Sequence, residues 1–181
     1  MLILKINDYV RYGSNGVCKV IGRKMLSGAD RYTEKEYYAL QPVADGNSML
    51  YVPVGNEALL SKMTAVLGKE EIDNLILSAK DNEIKWKSDK NERNAYFLSI
   101  LKENNPRTLL MMINCIYLKK QELLQIGKKL SATDEGVLKR AEIVVQNEFS
   151  FSLNIPKSEV GGYIRHLLGI QEIEVQNNDK K

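Results

Sequence analysis

Apolar and polar positions alternate in short bursts through residues 1–62 and shift to a helical spacing after that. Alternation marks a half-buried strand, because successive side chains of an extended chain point to opposite faces. Asp8-Tyr9-Val10-Arg11-Tyr12 fits it and runs into a turn cluster, Gly13-Ser14-Asn15-Gly16. Residues 17–22 resume it, with Val17, Lys19 and Ile21 on one face and Cys18 and Val20 on the other. A polar loop at Ser27-Gly28-Ala29-Asp30, an extended segment at 36–40 and a turn at Asp45-Gly46-Asn47-Ser48 follow. Residues 49–54 read as a further strand in which Pro53 lacks a backbone donor, so this strand is expected at a sheet edge. Short strands at this spacing predict a small Tudor-like or SH3-like β-barrel. Such a barrel has no room for a deep active site and suits docking.

From Thr64 the spacing becomes helical. Leu67, Ile72, Leu75, Ile76 and Ala79 form one stripe, with Glu70, Glu71 and Asp73 early, where the helix dipole favours acids. Residues 81–89 are polar and non-helical in pattern apart from Ile84 and Trp86. A second helix is expected over 90–102, with Ala95, Leu98 and Leu101 inward, ending at Asn104-Asn105. Pro106 suits the first turn of a third, running to about Gln125 on a face of Leu109, Leu110, Ile113, Ile116, Tyr117 and Leu124. Ser131, with Asp134 and Glu135 behind it, signals a fourth over 133–153. Pro156 opens a fifth, ended near Gly169, and 171–181 form a polar tail. The fold class is therefore α+β: a small barrel (1–62) followed by an all-α domain of about five helices (63–170).

Composition narrows the function more than the fold. With 44% hydrophobic and 27% charged residues the chain can build a core. The longest apolar run in its middle, at 109–113, is far too short to span a membrane. Lys5 and Asp8 interrupt the opening stretch, so no secretory leader is expected. Cys18 and Cys115 stand far apart and fit neither a disulfide framework nor a zinc site, which suits a reducing cytoplasm. His166 is the single histidine, and no phosphate-binding loop, nucleophile elbow or metal motif occurs. These features lean against an enzyme, and no cofactor or metal is implied.

Lys and Arg number 26 against 23 Asp and Glu, a net +3. Residues 1–62 carry +2, 63–130 carry +3 and 131–181 carry −2, so the surplus lies upstream of Ser131. Within it, Lys85-Trp86-Lys87-Ser88-Asp89-Lys90-Asn91-Glu92-Arg93 holds the only tryptophan, flanked by lysines just before a helix start. The lysines and Arg93 suit phosphates, and an exposed indole can stack on or wedge against a base pair. The plainer alternative, equally open, is that Trp86 caps the helical core and the charges are a solvated face. Lys119-Lys120 and Lys128-Lys129 read as ordinary solvated lysines, and Met111-Met112 as core. Arg23, Lys24, Tyr51 and Val52 belong to strand margins, where an exposed edge can pair with a partner strand. In isolation each is simply a barrel strand residue.

The ordered set of segments resembles the CarD/CdnL family of bacterial RNA-polymerase-binding transcription regulators. The opening LKINDYVRYGSNGVCKVIG resembles that family's "GD-V-Y-G-G-V" start. EYYALQPVADGNSMLYVPV resembles its "EYLVLK…L-V-VP" strands, and KKLSATDEGVLKRAEIVVQNEFSFSLNIP its "LS…E…L-A-ILV-EL-LAL" helical stretch. The likeness runs over roughly residues 4–168 in the right order. It implies a Tudor-like domain that docks on the RNA polymerase β subunit and a helical domain that touches promoter DNA. It also implies that Trp86 wedges into the minor groove at the upstream edge of the melted −10 region, with Lys85, Lys87, Lys90 and Arg93 on phosphates. A wedge that fits only distorted DNA favours open promoter over closed duplex.

The chain departs from the family in three places. About one extra helical turn separates Trp86 from the positions that match the family's "W-x-R-R-Y" arrangement, leaving loop and helix both open for Trp86. Acidic Glu135 stands where a basic residue is common. Tyr51 falls beside Arg23 and Lys24 where basic edge residues are usual, with Val52 and Pro53 next to it, which shifts docking toward apolar and backbone contact. The resulting expectation is a non-enzymatic cytoplasmic regulator that bridges polymerase and promoter DNA and is held at the nucleoid through polymerase. The alternative is an adaptor whose helical domain binds another protein.

Overall fold

The computed structural model describes residues 4–27, 34–81 and 83–169. Residues 28–30 of the expected polar loop and the tail at 171–181 lie outside these. Five antiparallel strands form one sheet: β1 Tyr9–Tyr12, β2 Val17–Ser27, β3 Glu34–Pro42, β4 Leu50–Pro53 and β5 Met63–Ala65, in the order β4-β3-β2-β1-β5. A short helix, α1 (Glu57–Leu60), joins β4 to β5 and is capped by Asn56, whose side chain accepts from the Leu59 N–H at 3.1 Å.

The alternation along the strands sets the core face. Val10, Cys18, Val20, Tyr38, Leu40 and Val52 pack together beneath the sheet, with Met63 from β5 closing the cluster. Cys18 and Val20 lie inward as their parity requires, whereas Val17, on the other face, is buried too. The register of β2 against β3 slips between Val20 and Gly22, leaving Ile21 as the extra residue of a bulge. Gly22 has φ +152°, a conformation that side chains rarely adopt, so a glycine is required where the strand bends. The helical spacing expected from Thr64 begins later, because Met63–Ala65 pairs with β1 and the first long helix starts at Lys69.

Five helices follow: α2 Lys69–Ser78, α3 Lys90–Glu103, α4 Pro106–Gln125, α5 Ala132–Leu153 and α6 Lys157–Leu168. The starts of α4 and α5 use Pro106 and Ser131, the signals read from the sequence, and Asp89 and Asn105 add caps that were not. Asp89, Asn105 and Ser131 each accept from a first-turn N–H, and Pro106 occupies the first position of α4. Ile72, Ile76, Phe97, Met112, Ile116 and Phe149 fill the shared interior, and Met111 and Met112 are core as expected.

Two helical faces differ from expectation. On α3 the buried positions are Arg93, Phe97 and Ile100, whereas Ala95 and Leu98 are exposed and Leu101 is half-buried. The true stripe includes a charged residue, so an apolar count places the phase off by a step. On α4, Tyr117 and Leu124 are exposed, and Met111, Met112 and Cys115 are buried instead. Among the described residues no helix is long and apolar enough to cross a membrane, and no cluster of metal-ligating side chains occurs.

Candidate functional site

The first candidate surface is the β4 edge. Residues directly opposite in an antiparallel pair alternate between exchanging hydrogen bonds and not doing so. The Val54 N–H donates to the Glu36 carbonyl at 2.9 Å, so with the observed register Val52–Tyr38 and Leu50–Leu40 are the bonded pairs. Tyr51 therefore turns its N–H and C=O outward, away from β3, and the donor that Pro53 lacks is one on the free edge. That is where a proline costs the sheet nothing. The same parity sorts the side chains. Val52 is buried, while Tyr51 is exposed and shares its face with Pro53 and Tyr37.

Arg23 and Lys24 are neighbours in sequence but lie on opposite faces of the sheet. Arg23 stands opposite Tyr38, donates to its hydroxyl at 3.0 Å and pairs with Glu36 at 3.4 Å. Lys24 stands opposite Tyr37, with its Nζ 5.9 Å from the Tyr51 ring centroid. So Lys24, Tyr51 and Pro53 form one outward patch. Val52 offers no accessible side chain, and Arg23 is held to the other face.

The second candidate surface surrounds Trp86. This residue lies in the loop between α2 and α3, half-buried and packed against the helical core. Its ring meets Phe97 edge-on at 6.1 Å between centroids. The Arg93 guanidinium lies 4.2 Å from the indole centroid, a cation–π contact of about 1–2 kcal/mol when shielded from water. Arg93 departs from the phosphate-contact expectation. It is buried, and its Nε and Nη2 bond both oxygens of Asp134 at 2.9 and 3.0 Å. Its Nη1 donates to the Lys87 carbonyl at 2.7 Å and the Ser88 carbonyl at 3.2 Å. The side chain fixes the loop from beneath and presents no donor to a ligand.

Lys85, Lys87 and Lys90 are exposed around this loop. Lys87 lies 5.1 Å from the Tyr96 ring and 3.9 Å from Glu92, contacts loose enough to leave it free to turn. One cation was missed by sequence reasoning: Lys119 of α4 stands 6.0 Å from the Trp86 centroid while pairing with Glu122 at 2.8 Å. No sequence signal links two residues so far apart. Ile84, Cys115 and Leu118 join them around a shallow recess of about 220 Å³ beside the indole.

Burial would raise the Asp134 carboxyl, but hydrogen bonds from Arg93 and Ser131 outweigh it and hold the group below its ordinary value. Burial pushes the Cys18 thiol up to about 11 and also raises Cys115, so both are protonated and inert at neutral pH. His166 is exposed in the last turn of α6. What remains is two contact surfaces, one of backbone and one of indole and lysines.

Residues 4–64 match the family model of the CarD-like/TRCF RID domain, to which this stretch of the chain is similar. The match covers the sheet and stops before α2. No curated protein matches the chain.

Proposed function

We propose, from the premise that residues 4–64 form a CarD-like/TRCF RID domain, that this chain is a bacterial transcription regulator bridging RNA polymerase and promoter DNA. The Tudor/SH3-like barrel expected over residues 1–62, extended to the end of β5, docks on the polymerase β subunit through Tyr51, Pro53 and Lys24. The Val52 backbone holds the edge in register, and Arg23 contacts from the opposite face. The helical domain, read from the sequence as 63–170 and beginning after β5, carries the DNA contact. The protein is non-enzymatic and needs no cofactor, and it resides in the cytoplasm, on the nucleoid through polymerase.

The observation that carries this reading is the coincidence of the family match with a sheet whose β4 edge is free to take another strand. On the helical side, support comes from the lone indole on a loop ringed by Lys85, Lys87 and Lys90. In this reading Trp86 wedges at the upstream edge of the −10 bubble and slows its collapse. Arg93 acts by holding the indole, not by touching phosphate. A contact made only with melted promoter shifts the opening equilibrium by its differential affinity and by nothing else.

The test is the lifetime of open complexes formed with the cognate polymerase. Trp86→Ala shortens it while polymerase co-purification stays intact, and an unchanged lifetime removes Trp86 from the mechanism. The adaptor alternative draws on the exposed Leu118, Leu124 and Ile126 along and just past α4, which suit a protein partner. Binding of melted-promoter DNA that does not weaken with salt would favour it.

A further inference from the structure

We infer that Arg11 is a positioning residue that clamps the sheet to the helical layer, so that the β4 edge and the Trp86 loop keep one fixed relation. The covalent link between the two parts is short, residues 66–68 between β5 and α2. Their apolar interiors are separate: the cluster under the sheet and the cluster among the helices share no residue. Between them lies a cleft of about 470 Å³, with Val17 and Val43 on one wall and Val144, Phe151 and Ile155 on the other. Apart from a ring contact between Tyr9 and Phe151, non-directional packing is thus interrupted at the junction. Something directional has to set the angle.

Arg11 supplies it. From β1 its Nε lies 3.0 Å from Glu148 Oε2 on α5, with both side chains largely shielded from water. Its Nη2 donates to the carbonyl of Asn104, the residue that ends α3. Asn104 is left-handed (φ +55°), a conformation asparagine tolerates, and its C=O belongs to the negative end of the helix dipole. A cation there is favoured. The Asn104 side chain returns the contact, its Nδ2 donating to the Gly13 carbonyl at 2.5 Å. Tyr9 adds a ring contact to Phe151 at 4.7 Å between centroids.

A guanidinium is planar, so the Nη2 bond to Asn104 fixes direction as well as distance, while the Glu148 contact is an ion pair that adds attraction. One arginine therefore ties β1 to α5 and to the end of α3 at once, and α3 is the helix whose Arg93 carries Trp86. The consequence for promoters rests on the function proposed above, whereas the clamp itself does not.

The experiment places spin labels on the full chain at Lys35→Cys in β3 and Lys139→Cys in α5, both exposed positions. The native cysteines are buried. The distance distribution is expected to be narrow in the wild type and broad in Arg11→Gln. Arg11→Lys, which keeps the charge but loses the planar guanidinium that reaches Asn104, is expected not to restore it. Val10→Ala, which weakens the sheet core without touching the clamp, is expected to lower the melting temperature and leave the distribution narrow. Should Arg11→Gln fail to fold, Glu148→Gln carries the same comparison. With polymerase and promoter, Arg11→Gln is expected to shorten open-complex lifetime by about fivefold or more, the lower end of typical coupling between sites. Polymerase affinity is expected to stay unchanged. A distribution that stays narrow in Arg11→Gln overturns the clamp. A broadened distribution with unchanged lifetime, where Trp86→Ala does shorten it, overturns the coupling. If Trp86→Ala also has no effect, the promoter reading fails, and the distances alone decide the clamp.

Discussion

The Arg93 guanidinium meets the Asp134 carboxylate side-on, Nε to Oδ1 at 2.9 Å and Nη2 to Oδ2 at 3.0 Å, with both groups buried. A two-pronged pair of this kind is strong and orientation-specific. Ser131 Oγ donates to the same carboxylate at 2.6 Å, so the helix start of α5 and the loop of Trp86 are tied through one arginine.

Removing one partner leaves the other charge buried and alone. Asp134→Ala is expected to destabilise the protein by about 3–5 kcal/mol, read as a lower urea midpoint. Because Trp86 is the single tryptophan, its emission is also expected to shift to the red as the loop loses its support. A native spectrum at full stability would show that Arg93 does not hold the loop.

Acid acts on two carboxylates in opposite senses. Asp134 is held below its ordinary 3.8, so its contribution is complete above that value and is lost as pH falls through the folded pKa. Glu148 is raised above its ordinary 4.5 by burial, with Arg11 offsetting part of the rise. Its contribution is complete below 4.5 and is lost as pH climbs through the folded pKa. Stability is therefore expected to rise as pH falls from neutrality toward 4.5 and to drop below 3.8. Glu148→Gln should flatten the upper limb and spare the lower, measured as urea midpoints across the range.

The outward N–H of Tyr51 is the donor that a docked strand would use. Tyr51→Pro removes it without breaking a bond to β3, because the β3-facing groups belong to Val52 and Leu50. Polymerase binding is expected to weaken by at least about fivefold, the worth of one hydrogen bond near 1 kcal/mol plus the lost ring contact, at nearly unchanged melting temperature. Equal binding by the variant would move docking off this edge.

Phosphate contact leaves a salt signature. Each neutralised phosphate adds about −0.9 to the slope of log affinity on log salt for duplex DNA. Lys85→Ala, Lys87→Ala and Lys90→Ala should each flatten the slope by about one such step. Trp86→Ala should lower affinity at every salt concentration and leave the slope alone. Arg93→Ala is expected to lower stability, with no step in the slope.

Strand and helix positions were legible wherever a local rule governs them. Pro53 announced an edge, Pro106 a first turn, and Ser131 with Asp134 a helix start, since each acts on its own neighbours. Two of the failures share a physical cause: a polar residue facing inward whose partner is distant in sequence. Arg93 occupies the α3 stripe because Asp134 waits on α5, so counting apolar residues put Ala95, Leu98 and Leu101 inward instead. Arg11 looked like the polar half of an alternation, and nothing nearby in the chain named Glu148 or Asn104 as its partners. Met63–Ala65 was hidden by its brevity, because three residues are too few to display a period. For the candidate site, the lysines around Trp86 were plain. The neighbour across the fold, Lys119, was not.

The two outer strands are short, four residues in β4 and three in β5. So little bare backbone gives identical copies almost nothing on which to stack, and the proline in β4 blunts it further. The sheet is thus guarded against open-ended self-assembly while one side stays available. A partner strand gains too few main-chain bonds there to bind by backbone alone, so side chains such as Tyr51 and Lys24 must decide which sequence is accepted.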